Sequence, residues 1–137
     1  EFYDRDIRYC SNRKEIKDHG DKGILLGSPI QDGDRVVIIE DVTTAGTSIQ
    51  ETMPILKAQG KIDLLGLVVS VDRMERGQGT KSALAEITEK YGIETTAIVT
   101  MEEVVEHLYN KPYRGKIIIN DEIKAAMDAY YRQYGAE

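Results

Sequence analysis

Cysteine occurs once, at Cys10, so no internal disulfide can form, and no cysteine and histidine cluster has zinc-ligand spacing. A reducing cytoplasm is the expected setting, with Cys10 read as a small strand residue rather than a nucleophile. No apolar run is long enough to span a membrane and no basic, apolar leader opens the chain, so a soluble, untargeted protein with no membrane partner is expected. Positive charge is outnumbered: 18 lysines and arginines face 24 aspartates and glutamates, for a net charge of -6. That balance repels a phosphate backbone and excludes wholesale nucleic-acid binding except through a local basic patch, which exists only near Arg13 to Lys17. Internal repeats and low-complexity stretches are absent. So is an initiating methionine. The chain runs from Glu1 straight into Phe2-Tyr3-Asp4-Arg5-Asp6-Ile7, which reads as the interior of a longer protein.

What remains is an ordinary globular composition, 41% hydrophobic and 31% charged over 137 residues, enough for one compact domain over 1–137 with a real core. The pattern predicts strands over 7–11, 24–27, 35–39, 64–71 and 95–100, and a short extended piece over 117–119. The run Val36-Val37-Ile38-Ile39 is of the kind buried on both faces of a parallel sheet. Helices are expected after Thr47 or Ser48, which can act as caps with Gln50 and Glu51 as capping-box partners, and over 82–91, 101–109 and 121–134. Pro54 should bend the first helix, Gly92 should end the second, and Asn120 or Asp121 should cap the last. The polar stretch 12–23 reads as a mobile loop. Alternating strands and helices imply an α/β fold with a mainly parallel sheet, whose ligands sit beyond the carboxyl ends of the strands, just after Ile39, Val71 and Val99.

The chemistry concentrates in Val36-Val37-Ile38-Ile39-Glu40-Asp41-Val42-Thr43-Thr44-Ala45-Gly46-Thr47-Ser48. A helix N-terminus offers unpaired amides and a positive dipole end to a phosphate, and Ala45 and Gly46 let the backbone approach it closely. Thr44, Thr47 and Ser48 add hydroxyl donors. Glu40 and Asp41 would repel that phosphate, so they make sense facing sugar hydroxyls or a metal-bound cation; a ribose 5-phosphate meets both demands. The plainer reading makes the two acids solvated turn residues and Thr47 a cap. Arg13, Lys14, Lys17 and His19 form a cationic cluster in an acidic chain, either a solvated loop or a movable cationic lid. Arg73, after a buried strand, is a surface cap or an anion binder. His107 reads as a surface histidine.

The thirteen-residue pattern resembles the diphosphate-ribose signature of type I phosphoribosyltransferases, with Glu40 where many members carry aspartate. Tyr9-Cys10-Ser11-Asn12-Arg13-Lys14-Glu15-Ile16-Lys17-Asp18-His19-Gly20 is similar to the Asn-Arg-Lys-Glu segment of the orotate phosphoribosyltransferases, and Val71-Asp72-Arg73-Met74-Glu75-Arg76-Gly77 resembles their Asp-Arg-x-Glu-Arg-Gly turn. The ending 128–135, with its paired tyrosines, is similar to their closing helix. The resemblance covers nearly the whole chain and implies a mainly parallel sheet flanked by helices. It also implies transfer of the phosphoribosyl group of phosphoribosyl diphosphate (PRPP) to orotate in pyrimidine (UMP) synthesis. Roles follow by the same route. Glu40, Asp41, Thr43, Thr44, Ala45, Gly46, Thr47 and Ser48 would bind the ribose and 5'-phosphate, and Arg13, Lys14, Lys17 and His19 the pyrophosphate. Thr44 and Arg73 would bind orotate, with Lys17, His19 and Asp41 catalytic. Magnesium would ride on the substrate without direct protein ligands, and active sites would be shared in a homodimer.

The family's N-terminal hood and first elements, with a lysine-bearing orotate contact and a pyrophosphate loop, are not supplied by 1–9. A truncated, poorly active form is expected. Two other readings stay open: a PRPP-sensing regulator of the same fold, which needs a basic face or attached module, and a purine phosphoribosyltransferase, which should lack the 12–20 segment.

Overall fold

A computed structural model describes residues 3–12, 25–43 and 46–136. The charged segment with Arg13, Lys14, Lys17 and His19, read above as a lid, lies outside the described residues, as do Thr44 and Ala45 of the signature.

Two short strands, β1 (Cys10–Asn12) and β2 (Leu25–Gly27), pair antiparallel. β1 begins later than the pattern predicts: among the described residues Ile7 and Tyr9 stand exposed outside the paired register, Tyr9 only accepting the Ser28 amide at 2.9 Å through its carbonyl. The centre is a three-stranded parallel sheet of β3 (Arg35–Glu40), β4 (Asp63–Asp72) and β5 (Glu94–Thr100), in the order β3-β4-β5. Helix α1 (Thr47–Gln59) joins β3 to β4, and α2 (Ala83–Tyr91) joins β4 to β5. Then come α3 (Met101–Leu108), a small hairpin of β6 (Pro112–Tyr113) and β7 (Lys116–Ile117), and α4 (Asp121–Tyr134). The extended piece expected at 117–119 is thus the second arm of a hairpin, continued by a bridge from Ile119 to Tyr109.

The helix ends follow local chemistry. Ser82 accepts from the Ala85 amide and Gly92, left-handed, closes α2. Thr100 and Glu103 form a reciprocal capping box on α3, and Asn120 caps α4 through the Ile123 amide at 2.9 Å. Pro54 sits inside α1 and leaves the Gln50 carbonyl without its usual donor.

One face of the sheet carries the core. Ile38, Leu67 and Val69 meet Ile49 and Leu56 of α1, Leu84 and Ile87 of α2, and Ile93. At Gly66 the strands run so close that a Cβ would lie 2.5 Å from the Glu94 carbonyl oxygen, which only glycine permits. The opposite face corrects the expectation for Val36-Val37-Ile38-Ile39. Ile39 is 78% exposed, Ile98 77% and Val37 46%. The run alternates because α1 and α2 pack on one side of the sheet, and among the described residues no element covers the other.

Candidate active site

In a parallel sheet the carboxyl ends of all strands share one edge, so β3, β4 and β5 deliver Glu40, Asp72 and Thr100 to the same side. Asp41 and Arg73 follow directly. The residues expected after Ile39, Val71 and Val99 therefore share the edge where α/β folds bind ligands.

The turn after β3 is fastened to the sheet by its backbone: the Asp41 carbonyl accepts from the Ser70 amide at 2.9 Å and from Val71 at 3.1 Å. The Asp41 carboxylate accepts the Val42 amide at 2.7 Å and stays exposed. Half-buried Glu40 accepts from the Ser48 hydroxyl, a bond that ties the strand end to the first turn of α1. Neither Thr47 nor Ser48 caps the helix. The N-cap is Gly46, at φ 66 and ψ 18, without a side-chain cap bond, because its left-handed backbone turns the chain and the Ser48 hydroxyl is spent on Glu40. Among the described residues no side chain caps the opening amides of α1, the condition under which a helix start receives an anion.

Thr43 adds a second sign. Its hydroxyl is buried and has no hydrogen-bond partner among the described residues. An orphaned buried hydroxyl costs about 1–3 kcal/mol, which a ligand or ordered water in the turn would offset. The site thus gathers Glu40, Asp41, Thr43, Gly46, Thr47 and Ser48 in one loop.

Arg73 anchors the neighbouring turn, and here the structure shows partners that the sequence reading missed. Its guanidinium pairs with Glu75 at 2.5 Å and donates to the Tyr130 hydroxyl at 3.4 Å. Tyr130 in turn donates to Glu75 at 2.8 Å, and Tyr131 donates to the Arg73 carbonyl at 2.8 Å. The bond to Glu75 is the main reason the Tyr130 phenol is raised above its ordinary value; for Tyr131 the main reason is burial. The paired tyrosines of the last helix and Glu75 in its turn were visible as motif letters, but no local pattern joins positions 55 apart in sequence. His107 is exposed, as expected, and lines an apolar cleft with Val99, Val104, Leu108 and Tyr113 beside α3. Among the described residues no three His, Cys, Asp or Glu side chains gather in a way that could hold a metal ion, and no helix is long and apolar enough to cross a membrane.

A parallel sheet flanked by helices, with an acidic strand end leading into a glycine-capped helix, defines a phosphoribosyltransferase-like α/β fold. No protein-family model matches the chain. Over its whole length it is 78% identical to the orotate phosphoribosyltransferase of Lachnoclostridium phytofermentans, of which it spans 61%. It is 67% identical over 98% of its length to that of Clostridium beijerinckii, of which it spans 60%. The crystal structure of orotate phosphoribosyltransferase from Francisella tularensis superposes with a TM-score of 0.71 at 27% identity, covering 98% of this chain and 59% of that one. Along its whole length the chain is similar to orotate phosphoribosyltransferases, and it spans about 60% of the length of the curated relatives it matches.

Proposed function

We propose that the protein transfers the phosphoribosyl group of PRPP to orotate, giving orotidine 5'-phosphate and pyrophosphate in pyrimidine (UMP) biosynthesis. The observation that carries this reading is the 78% identity, along the entire chain, to a protein named orotate phosphoribosyltransferase. The geometry supports it: carboxylates at the strand end suit ribose hydroxyls, and the uncapped helix start suits a phosphate.

In this reading the 5'-phosphate lies against Thr44, Ala45, Gly46, Thr47 and the Ser48 amide, with the Thr43 hydroxyl gaining its missing partner. Glu40 and Asp41 accept hydrogen bonds from the 2'- and 3'-hydroxyls, Glu40 being held in place by the Ser48 hydroxyl. Arg73 and Thr44 take orotate, the guanidinium meeting its carboxylate as a planar fork. Arg13, Lys14, Lys17 and His19 meet the pyrophosphate, and Lys17, His19 and Asp41 stand nearest the chemistry. The bond from ribose C1 to the pyrophosphate oxygen breaks as the bond to the orotate nitrogen forms, through an oxocarbenium-like state that needs no covalent enzyme nucleophile, and the proton of that nitrogen leaves with the departing diphosphate. The protein's share is to orient the two reactants and stabilise the departing charge. Magnesium would be carried on the diphosphate, and the Glu40 and Asp41 carboxylates, as hard oxygen donors, are of the type that suits it. Bound there, it offsets charge on the leaving group. A cytoplasmic homodimer with shared active sites completes the reading.

The test mixes a full-length form of the protein that contains this chain with PRPP, magnesium and, in turn, orotate, uracil or hypoxanthine, and follows acceptor consumption and pyrophosphate release. In parallel, ribose 5-phosphate is titrated while the backbone amides of Thr47, Ser48 and Ile49 are followed by NMR. Consumption of orotate alone, with shifts confined to that turn, is expected. Preference for hypoxanthine or uracil, or no response at these amides to ribose 5-phosphate, would overturn the proposal.

A further inference from the structure

The turn that carries Arg73 is gripped by the end of α4 and the residues just after it through hydrogen bonds made with Tyr130, Tyr131, Gln133, Tyr134 and Ala136. Tyr131 donates to the Arg73 carbonyl at 2.8 Å, and Tyr130 donates to Glu75, which pairs with the Arg73 guanidinium. The Arg76 amide donates to the Tyr134 carbonyl at 2.9 Å, and its guanidinium reaches the Gln133 carbonyl. The Ala136 amide donates to the Met74 carbonyl at 3.0 Å, and Glu75 bridges to Gly135. Within this grip Met74 adopts φ 55, a left-handed backbone uncommon for a side chain of its size. Such a conformation persists where surroundings over-determine it, as at ligand clamps.

We infer that Tyr130 and Glu75 are positioning residues for Arg73, fixing one edge of its guanidinium so that the other edge is presented to the carboxylate of the planar ring substrate. Among the described residues the contacts of that guanidinium run through Nη2 alone, to Glu75 and Tyr130. A guanidinium carries five donors in a rigid fork, so engaging one nitrogen leaves a second edge able to meet a carboxylate through two bonds. Fixing it beforehand lowers the ordering cost when the ligand arrives. The side chain of Glu75 is only 15% exposed, and it needs both Arg73 and Tyr130 as partners, which makes the three a unit. Tyr131 supports them by holding the backbone from which Arg73 projects.

This inference rests on the reading of Arg73 as the carboxylate-binding residue, and the experiment separates the two. The intact protein is compared with Arg73→Lys, Tyr130→Phe, Tyr130→Phe combined with Arg73→Lys, and Tyr134→Phe, the last altering the same aromatic cluster. Steady-state constants for orotate and PRPP are measured for each, with thermal midpoints as a check on folding. Loss of one positioning hydrogen bond should raise KM for orotate about three- to tenfold, while KM for PRPP stays within about twofold. Tyr134→Phe should leave both unchanged, and Tyr130→Phe should add nothing once Arg73 is lysine. A full effect of Tyr130→Phe on both substrates, or an additive effect in the double variant, would make the tyrosine merely structural and overturn the inference. An orotate KM raised by Arg73→Lys but not by Tyr130→Phe sinks the inference and spares the reading of Arg73. An orotate KM insensitive to Arg73→Lys sinks both. If Tyr130→Phe melts early, Glu75→Gln, which keeps shape and weakens the pairing, carries the same orotate-specific expectation.

Discussion

Replacing Gly46 by alanine probes the turn on which the candidate site depends, and its cost follows from two separable quantities. The first is conformational. Gly46 sits at φ 66, and a left-handed backbone costs an L-residue with a Cβ about 1–2 kcal/mol. Against this, alanine narrows the unfolded ensemble and returns about 0.4–1 kcal/mol. The second is steric, and it is small. A Cβ at position 46 would meet Ile87 Cγ1 at 3.4 Å and Ile49 Cγ2 at 3.6 Å, ordinary van der Waals contact. The net expectation is a loss of about 0.5–1 kcal/mol; with a urea slope of about 1.5 kcal/mol per M, the unfolding midpoint falls by about 0.3–0.7 M. Asparagine, which tolerates the left-handed region, should lose less than alanine, and valine should lose most. Urea unfolding of the three variants, followed by far-UV circular dichroism, reads the order directly. A gain in stability with alanine would mean the turn is not left-handed. A loss above about 3 kcal/mol would mean that the space beside Ile87 is not there, since overpacking reaches that range.

Gly66→Ala should behave differently, because its Cβ would press on the Glu94 carbonyl oxygen at 2.5 Å, backbone against backbone. A loss toward the upper end of the roughly 1–3 kcal/mol seen for overpacking is expected in the same urea assay, and a change below about 0.5 kcal/mol would contradict the close approach of β4 and β5. Thr100→Ala removes the N-cap of α3 and should cost about 1 kcal/mol, read as a lowered thermal midpoint; an unchanged melt would deny the capping box. Glu86 accepts from the Gln78 and Gly79 amides at 2.8 and 2.6 Å, and these bonds hold its carboxyl below the ordinary value of 4.5. A depressed acid contributes its full stabilisation above the unfolded value and loses it as pH falls through the folded one, so the loop at 77–80 should loosen only below about pH 4.5. Amide chemical shifts of Gln78 and Gly79 should titrate in that window and cease to do so in Glu86→Gln; a midpoint at or above 4.5 would refute the assignment.

Much of this architecture was legible because its signals are local. Gly92 and Asn120 mark helix ends by chemistry that acts within a turn, a left-handed backbone in the first and a side-chain oxygen in the second, and each stands where the sequence pattern puts it. The start of α1 misled for a physical reason: Ser48 had a competing acceptor, Glu40, eight residues away, which a local capping rule does not weigh. Val37 and Ile39 misled for another. An apolar run reports what a strand is able to bury, whereas actual burial depends on which elements lie over each face. At the site, the strand-end acids and Arg73 were readable from their position after apolar runs. Glu75, Tyr130 and Tyr131 were not readable as a unit, because their association is tertiary, made when α4 folds back over the turn after β4.

The bare side of the sheet has a practical consequence. Ile39 and Ile98 project from strands at opposite margins of a sheet whose outer backbone groups on β3 and β5 are unpaired among the described residues. Greasy side chains and open hydrogen-bonding margins together invite a second molecule to lie alongside. Handled by itself, this polypeptide should scatter light increasingly as it is concentrated, even well below its melting temperature, so dilution rather than cooling is what keeps it monodisperse.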